Sequence, residues 1–189
     1  MDKENYIEHC EKNFKPKINK WYDVLEDIFL SKKMYKTLKK LSLKSKSKTS
    51  VNPINKDIFR CFKECPYDDL KVVIVGEQAY TVKGVADGLA FSYTPSNKND
   101  SYIPPTLRNI FQEIRYDVYK SDDIITYLNT SVNPNLTRWA KQGILLLNRS
   151  LTSENRSPRS HDDLWKDITK EFIKRISDEK ENIIFLLWG

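Results

Sequence analysis

The sequence is poor in the residues that build disulfide-stapled, metal-bound or membrane-spanning proteins. It holds three cysteines in 189 residues, Cys10, Cys61 and Cys65. An odd number with one C-x₃-C spacing is no disulfide framework. His9 and His161 are the only other soft ligands, so a four-ligand zinc site is not expected. Reduced thiols in a cytoplasmic or nuclear compartment fit this usage. Long apolar runs are also missing. Ile183–Trp188 is far short of the ~20 residues a membrane helix needs, so no membrane partner is expected. Met1–Lys20 is polar and charged, which argues against secretion. No nucleotide, flavin or metal signature is present, and no cofactor is expected.

Acid is absent from one whole stretch. Between Asp27 and Asp57 there is no Asp or Glu, while Lys32, Lys33, Lys36, Lys39, Lys40, Lys44, Lys46, Lys48 and Lys56 fall there. The chain carries 32 basic against 26 acidic residues, a net charge of +6 that suits a polyanion partner. Two readings of the strip stand side by side. It is a solvated lysine-rich face, or it contacts a phosphate backbone with salt-dependent, sequence-independent affinity.

Residues 1–17 show no sustained period and are expected to be loose. Trp21, Val24, Leu25, Ile28 and Phe29 repeat at three and four, which predicts an amphipathic helix. Met34, Leu38 and Leu41 suggest a second short helix, and Ser42–Asn55 reads as an exposed loop. Lys56–Cys65 reads as a short helix ended by Pro66. Residues 1–55 thus form a helical, lysine-rich arm, and 56–189 an α/β domain.

In that domain Lys71–Gly76, Gly143–Asn148 and Ile183–Gly189 are continuous apolar runs, the pattern of buried parallel strands. Leu89–Ser92 is a shorter strand-like piece. Pro104 and Pro105 open a helix with Leu107, Ile110, Phe111, Ile114 and Val118 inward. His161–Ser177 is another helix, and Asp122–Leu136 an unassigned helix or loop. Strands alternating with helices predict an α/β fold, three layers around a mostly parallel sheet. Ligands in such sheets bind beyond the C-terminal strand ends. Glycine is scarce, and all five lie at those ends or starts, which marks turns and close backbone approach.

At these strand ends the sequence stops being generic. Val72–Thr81 (VVIVGEQAYT), then Gly84 and Gly88–Ser92 (GLAFS), resembles the first motif of family 1 uracil-DNA glycosylases. Ile103–Ile114 is similar to that family's proline-rich loop and following helix. Trp139–Asn148, with Leu151 and Thr152, resembles its uracil-recognition strand. Ser160, His161, Trp165 and Phe185–Gly189 complete the order. Trp21–Leu25 resembles its N-terminal helix more weakly.

The resemblance implies a pocket for a base flipped out of DNA, single- or double-stranded. It assigns Asn148 to the uracil edge, where an amide donates to O4 and accepts from N3–H. It assigns Phe91 to stacking, worth ~1–3 kcal/mol, and Tyr80 to the space of a thymine methyl. Taken singly, each is also an ordinary core or strand-end residue. Pro104, Pro105, Thr106 and Gly189 are implied as DNA contacts, with Lys32, Lys33, Lys36, Lys39 and Lys40 as basic support.

Two departures fall on the chemistry. The family's catalytic aspartate falls at Gln78, which is neutral and no base. Its neighbours differ as well: Glu77, Ala79 and Thr81 replace Gln, Pro and His. The family also continues beyond this point to a further strand and an H-P-S-P segment with an anion-stabilising histidine, and neither lies within these residues. Loss of both groups would cost on the order of 5–8 kcal/mol of barrier if they act independently. Glu77 is the one acid close enough to substitute. Wider branches of the superfamily carry Gly-Glu here, one of them Gly-Glu-Gln with a histidine elsewhere, but resemblance places His161 away from the anion site.

The expected function is therefore a homologue that binds DNA and flipped uracil, with excision weak or lost. The alternative is a non-catalytic interaction protein on the same scaffold, because some viral members serve as structural parts of replication complexes. A decoy for glycosylase inhibitors belongs to that class. The front part of a longer, active enzyme is a third reading, which Gln78 opposes. Without a neighbouring strand, Ile183–Gly189 is expected to be an exposed edge. A following segment, a partner or second copy, or the N-terminal arm is expected to cover it.

Overall fold

A computed structural model of the chain describes residues 3–46, 50–95, 102–119 and 133–188. Its centre is a parallel sheet of three strands: β2 (Val72–Gln78), β3 (Ile144–Ser150) and β5 (Ile184–Trp188), in the order β3-β2-β5. Two shorter strands, β1 (Val51–Asn52) and β4 (Ser153–Glu154), pair antiparallel beside it. Along β2, Val73, Ile74 and Val75 are all buried, although successive side chains point to opposite faces. Leu145, Leu146 and Leu147 of β3 repeat this. Both faces of these strands are therefore covered, which explains their unbroken apolar runs and makes the architecture the expected three-layer α/β fold. β5 differs: among the described residues it pairs on one side only, and Ile184 and Leu187 are exposed.

Before the sheet come α1 (Lys3–Asn13), α2 (Lys15–Ile18), α3 (Lys20–Phe29) and α4 (Lys32–Lys46), and then α5 (Arg60–Glu64). After β2 come α6 (Pro105–Tyr119), α7 (Thr137–Ala140) and α8 (Asp162–Glu179). Helix α8 buries Trp165, Ile168, Phe172 and Ile176, a three-four spacing, and opens with Asp162 and Asp163 where the helix dipole favours acids. Phe172 packs on Phe62 (5.1 Å between ring centroids) and Phe29 (5.6 Å). The N-terminal helices thus share one core with the sheet layers. Arg175 ties α8 to α3 by donating to the Val24 carbonyl at 2.7 Å.

Residues 1–17 are not loose where they are described. Tyr6 and Cys10 are buried in α1, and the Tyr6 hydroxyl donates to the Phe29 carbonyl at 2.7 Å. Tyr6, Cys10, Phe14 and Ile18 form an i, i+4 stripe too thin to stand out among charged neighbours. The helix of Met34–Leu41 is longer than its apolar residues suggest, running to Lys46. Nor is Ser42–Asn55 simply an exposed loop: Val51 and Asn52 are buried in β1. Leu89–Ser92 is a turn rather than a strand, and Phe91 within it has φ 65°. None of the described N-terminal helices folds over β5, where Leu187 is 73% exposed. Most of Asp122–Leu136, and Gly189, lie outside the described residues. No described helix is long and apolar enough to cross a membrane. Cys10, Cys61 and Cys65 are free and buried.

Gly143 starts β3 with φ 91°, and a Cβ there would sit 1.9 Å from the Asp69 carbonyl oxygen. Only glycine fits where this turn meets the start of β2.

Candidate active site

The three strands end in register. Gly76 of β2 lies opposite Asn148 of β3 on one side and Trp188 of β5 on the other. Beyond this row opens a cavity of about 520 Å³. The loop after β2 (Ala79–Thr81) forms one wall, Phe91 and Asn148 the floor, and the first turns of α6 the opposite wall.

Gly76 decides how the floor is built. A Cβ there would fall 2.7 Å from Asn148 Oδ1 and 3.1 Å from the Phe91 ring. The missing side chain lets the Asn148 amide and the Phe91 ring meet over the strand end. Asn148 is buried and Phe91 half-buried, with the Trp188 ring edge-on to Phe91 at 5.7 Å. The Tyr80 hydroxyl donates to the Phe91 carbonyl at 2.9 Å, and burial pushes that phenol well above its ordinary pKa. The residues assigned to uracil recognition are therefore brought together in one pocket.

The loop that carries Tyr80 is held from behind. Ala79 N–H donates to the Ser150 carbonyl, Ser153 Oγ to that of Tyr80, and Asn52 Nδ2 to that of Thr81, each at 3.1 Å. Arg156 N–H reaches the same Thr81 oxygen at 3.0 Å. Behind these lies His161, bonded to Thr152 Oγ1 (2.8 Å) and Glu154 Oε1 (3.3 Å). Burial lowers its pKa, and it does not line the pocket.

The corner at Gln78 is different. Gln78 Oε1 accepts from the Arg159 backbone N–H at 2.6 Å. Glu77 is exposed, and its carboxylate lies 3.9 Å from Arg159 Nε. Both line the cavity, but neither is enclosed by it as Asn148 is. An amide already accepting from a backbone N–H offers no base to an attacking water.

On α6, Thr106 lines the cavity, while Pro104 and Pro105 precede it without lining it. Asn109 and Ile110 line it as well and were not identified from sequence; they follow Thr106 at i+3 and i+4, on one helix face. Trp188 was not named as a site residue, and Gly76 was marked only as a strand-end glycine; strand register places both beside Asn148. Lys32, Lys33, Lys36, Lys39 and Lys40 are exposed on α4 and line no part of this cavity. Lys33 is paired with Asp167, and Lys44 with Glu154. Among the described residues, no group of three or more His, Cys, Asp or Glu could hold a metal.

The family model described as "Uracil DNA glycosylase superfamily" matches residues 62–189. A uracil-DNA glycosylase of Aliarcobacter butzleri is 42% identical over 170 residues, covering 89% of this chain and 74% of that protein. One of Borrelia turicatae is 43% identical over 143 residues, covering 75% of this chain and 59% of that protein. The solved uracil-DNA glycosylase of mimivirus superposes with a TM-score of 0.75 at 20% identity, over 100% of this chain and 63% of that one. The chain thus spans about 60% of the length of several proteins it resembles.

Proposed function

The chain belongs to the uracil DNA glycosylase superfamily, and on that premise we propose that it binds uracil flipped from DNA, with excision slow or lost. The observation that carries this reading is the meeting of Asn148 and Phe91 over Gly76. Asn148 Oδ1 accepts from uracil N3–H while its Nδ2 donates to O4, a pairing that cytosine inverts. The base stacks on Phe91, at ~1–3 kcal/mol. Tyr80, pinned by its bond to the Phe91 carbonyl, stands where a 5-methyl group would need room. Thymine is excluded by a fixed ring and not a mobile one.

The DNA backbone passes the first turn of α6, with Thr106 offering a hydroxyl to a phosphate. The exposed lysines of α4 add a diffuse, salt-sensitive attraction. Gln78 stands in the water-activating position without a charge to balance the sugar cation, so binding outlasts chemistry. Glu77, tied to Arg159 and open to solvent, is at most a weak substitute.

The test is paired. Binding of a uracil-containing strand is compared with its thymine counterpart by anisotropy, and single-turnover excision is followed by alkaline cleavage. Tighter uracil binding with little or no excision supports the reading. Equal binding of both strands overturns it.

A second reading, an interaction or scaffold role, is favoured by β5. Leu187 is 73% and Ile184 59% exposed on a strand with an unpaired edge among the described residues. Such an edge accepts a further strand from a partner or from a second copy. Sedimentation at several concentrations distinguishes self-association from a monomer.

A further inference from the structure

A second cavity lies between the N-terminal helices and α5. Segments from α1, α2 and α4, with residues 55–63, enclose about 340 Å³. That is within the ~300–1,000 Å³ of small-ligand sites. Its floor is apolar. Ile18, Leu41 and Phe59 are buried there, and the half-buried Phe14 stands edge-on to Phe59 at 5.2 Å between centroids. Its rim is cationic. Lys17, Lys56 and Lys63 are exposed, and none is ion-paired with a described residue. Arg60 also reaches the cavity, but it is committed to Asp87 (3.1 Å) and Glu64 (3.3 Å).

Among the described residues, no carboxylate lines this cavity. Three uncompensated lysines around one mouth repel each other, and an anion relieves that repulsion. A fully hydrophilic anion would leave the apolar floor wet. A neutral ligand would leave the rim unpaired. The two features are satisfied together only by an amphipathic anion.

We propose that this cavity binds a small organic anion, with an aromatic or aliphatic body on Phe14, Leu38 and Phe59 and an acidic head at the lysine rim. A carboxylate, sulfonate or phosphate ester supplies the same head chemistry. A half-open pocket of about 340 Å³ fits a small molecule and holds too little room for a stretch of extended polymer. The cavity shares no lining residue with the strand-end pocket, so the site is independent of the uracil reading.

The probe is 8-anilinonaphthalene-1-sulfonate, titrated by fluorescence against the full chain, with neutral N-phenyl-1-naphthylamine as its uncharged counterpart. One equivalent of the anionic dye binds, about tenfold tighter than the neutral one at low salt, and added salt narrows the gap. Lys17→Glu with Lys63→Glu weakens the anionic dye at least about fivefold and spares the neutral one. Leu38→Trp fills the cavity and removes both. Ser42→Phe, at its exposed margin, gives the same loss should Leu38→Trp fail to melt cooperatively. Free uracil in excess leaves the dye bound. Equal affinity for the two dyes, undiminished binding in folded filled variants, or displacement by free uracil overturns the proposal. Displacement by single-stranded oligothymidine also overturns it, because the rim then belongs to a nucleic-acid backbone.

Discussion

The two corners of the strand-end pocket are built to different standards. At the corner proposed for base recognition, Asn148 is buried, Phe91 and Tyr80 are bonded or packed to each other, and Gly76 makes the room they need. At the corner where the family resemblance puts the catalytic carboxylate, Gln78 is occupied by a backbone N–H and Glu77 is exposed. A buried polar amide with a defined neighbour is preorganised for a hydrogen-bonding partner. A solvent-exposed carboxylate beside an arginine is not. The difference teaches that one end of a strand-end pocket can be closely packed while the other, a few residues away, is open to solvent.

The sharpest way to break that contrast is Gln78→Asp. The aspartate is one methylene shorter than Gln78, so it gives up the bond to Arg159 N–H and supplies a charge beside the proposed sugar position. Single-turnover excision is expected to rise about a hundredfold or more, and no rise would show that the corner lacks more than a charge. Next is Asn148→Ala, which removes both of the bonds proposed to the uracil edge. The preference for uracil over thymine strands in anisotropy is expected to shrink by about 10–100-fold, or ~1.5–3 kcal/mol. Gly76→Ala tests whether the floor depends on the empty Cβ position. Its methyl would meet Asn148 Oδ1 at 2.7 Å, so uracil affinity falls about tenfold, with ~1–3 kcal/mol lost in urea unfolding. An unchanged uracil affinity would show that Asn148 and Phe91 can yield without consequence.

The smallest expected effect concerns the support behind the pocket. His161 is buried, and burial lowers its pKa below the ordinary histidine value of ~6.5. The unfolded chain takes up the proton first as pH falls. Stability from this group is therefore complete above pH ~6.5 and declines below it, through the lowered folded pKa. The urea midpoint at pH 5.5 is expected to lie below that at pH 7.5, and His161→Gln to flatten the difference. Glu154, whose pKa its bond to Lys44 depresses, adds its own loss only at more acid pH.

Much of the fold was legible. β2 and β3 are unbroken apolar runs, and a strand buried on both faces can hardly read otherwise; β5 reads the same way, yet Ile184 and Leu187 are exposed. Helix α8 carries its burial in a clear three-four period. The first helix was not legible, because one residue per turn from Tyr6 to Ile18 is a weak signal in a charged segment. Gly88–Ser92 misled for another reason: its apolar residues are buried by a turn, and apolar content alone does not separate a turn from a short strand. Of the residues that line the pocket, Tyr80, Phe91, Asn148 and Thr106 were named through the family resemblance. Asn109, Gly76 and Trp188 were not, since nothing local marks a helix face or a strand neighbour as pocket wall.

By itself the sequence determined that β2 and β3 become buried strands and α8 an amphipathic helix, and that position 78 holds an amide and not an acid. Those properties are local, set by side-chain chemistry and hydrophobic period. Only the tertiary structure decided that Asn148, Gly76 and Trp188 stand in one row and that Phe91 lies over them. Strand register and a turn with positive φ bring distant residues within van der Waals contact. Such contacts depend on how three segments align, which no single segment encodes.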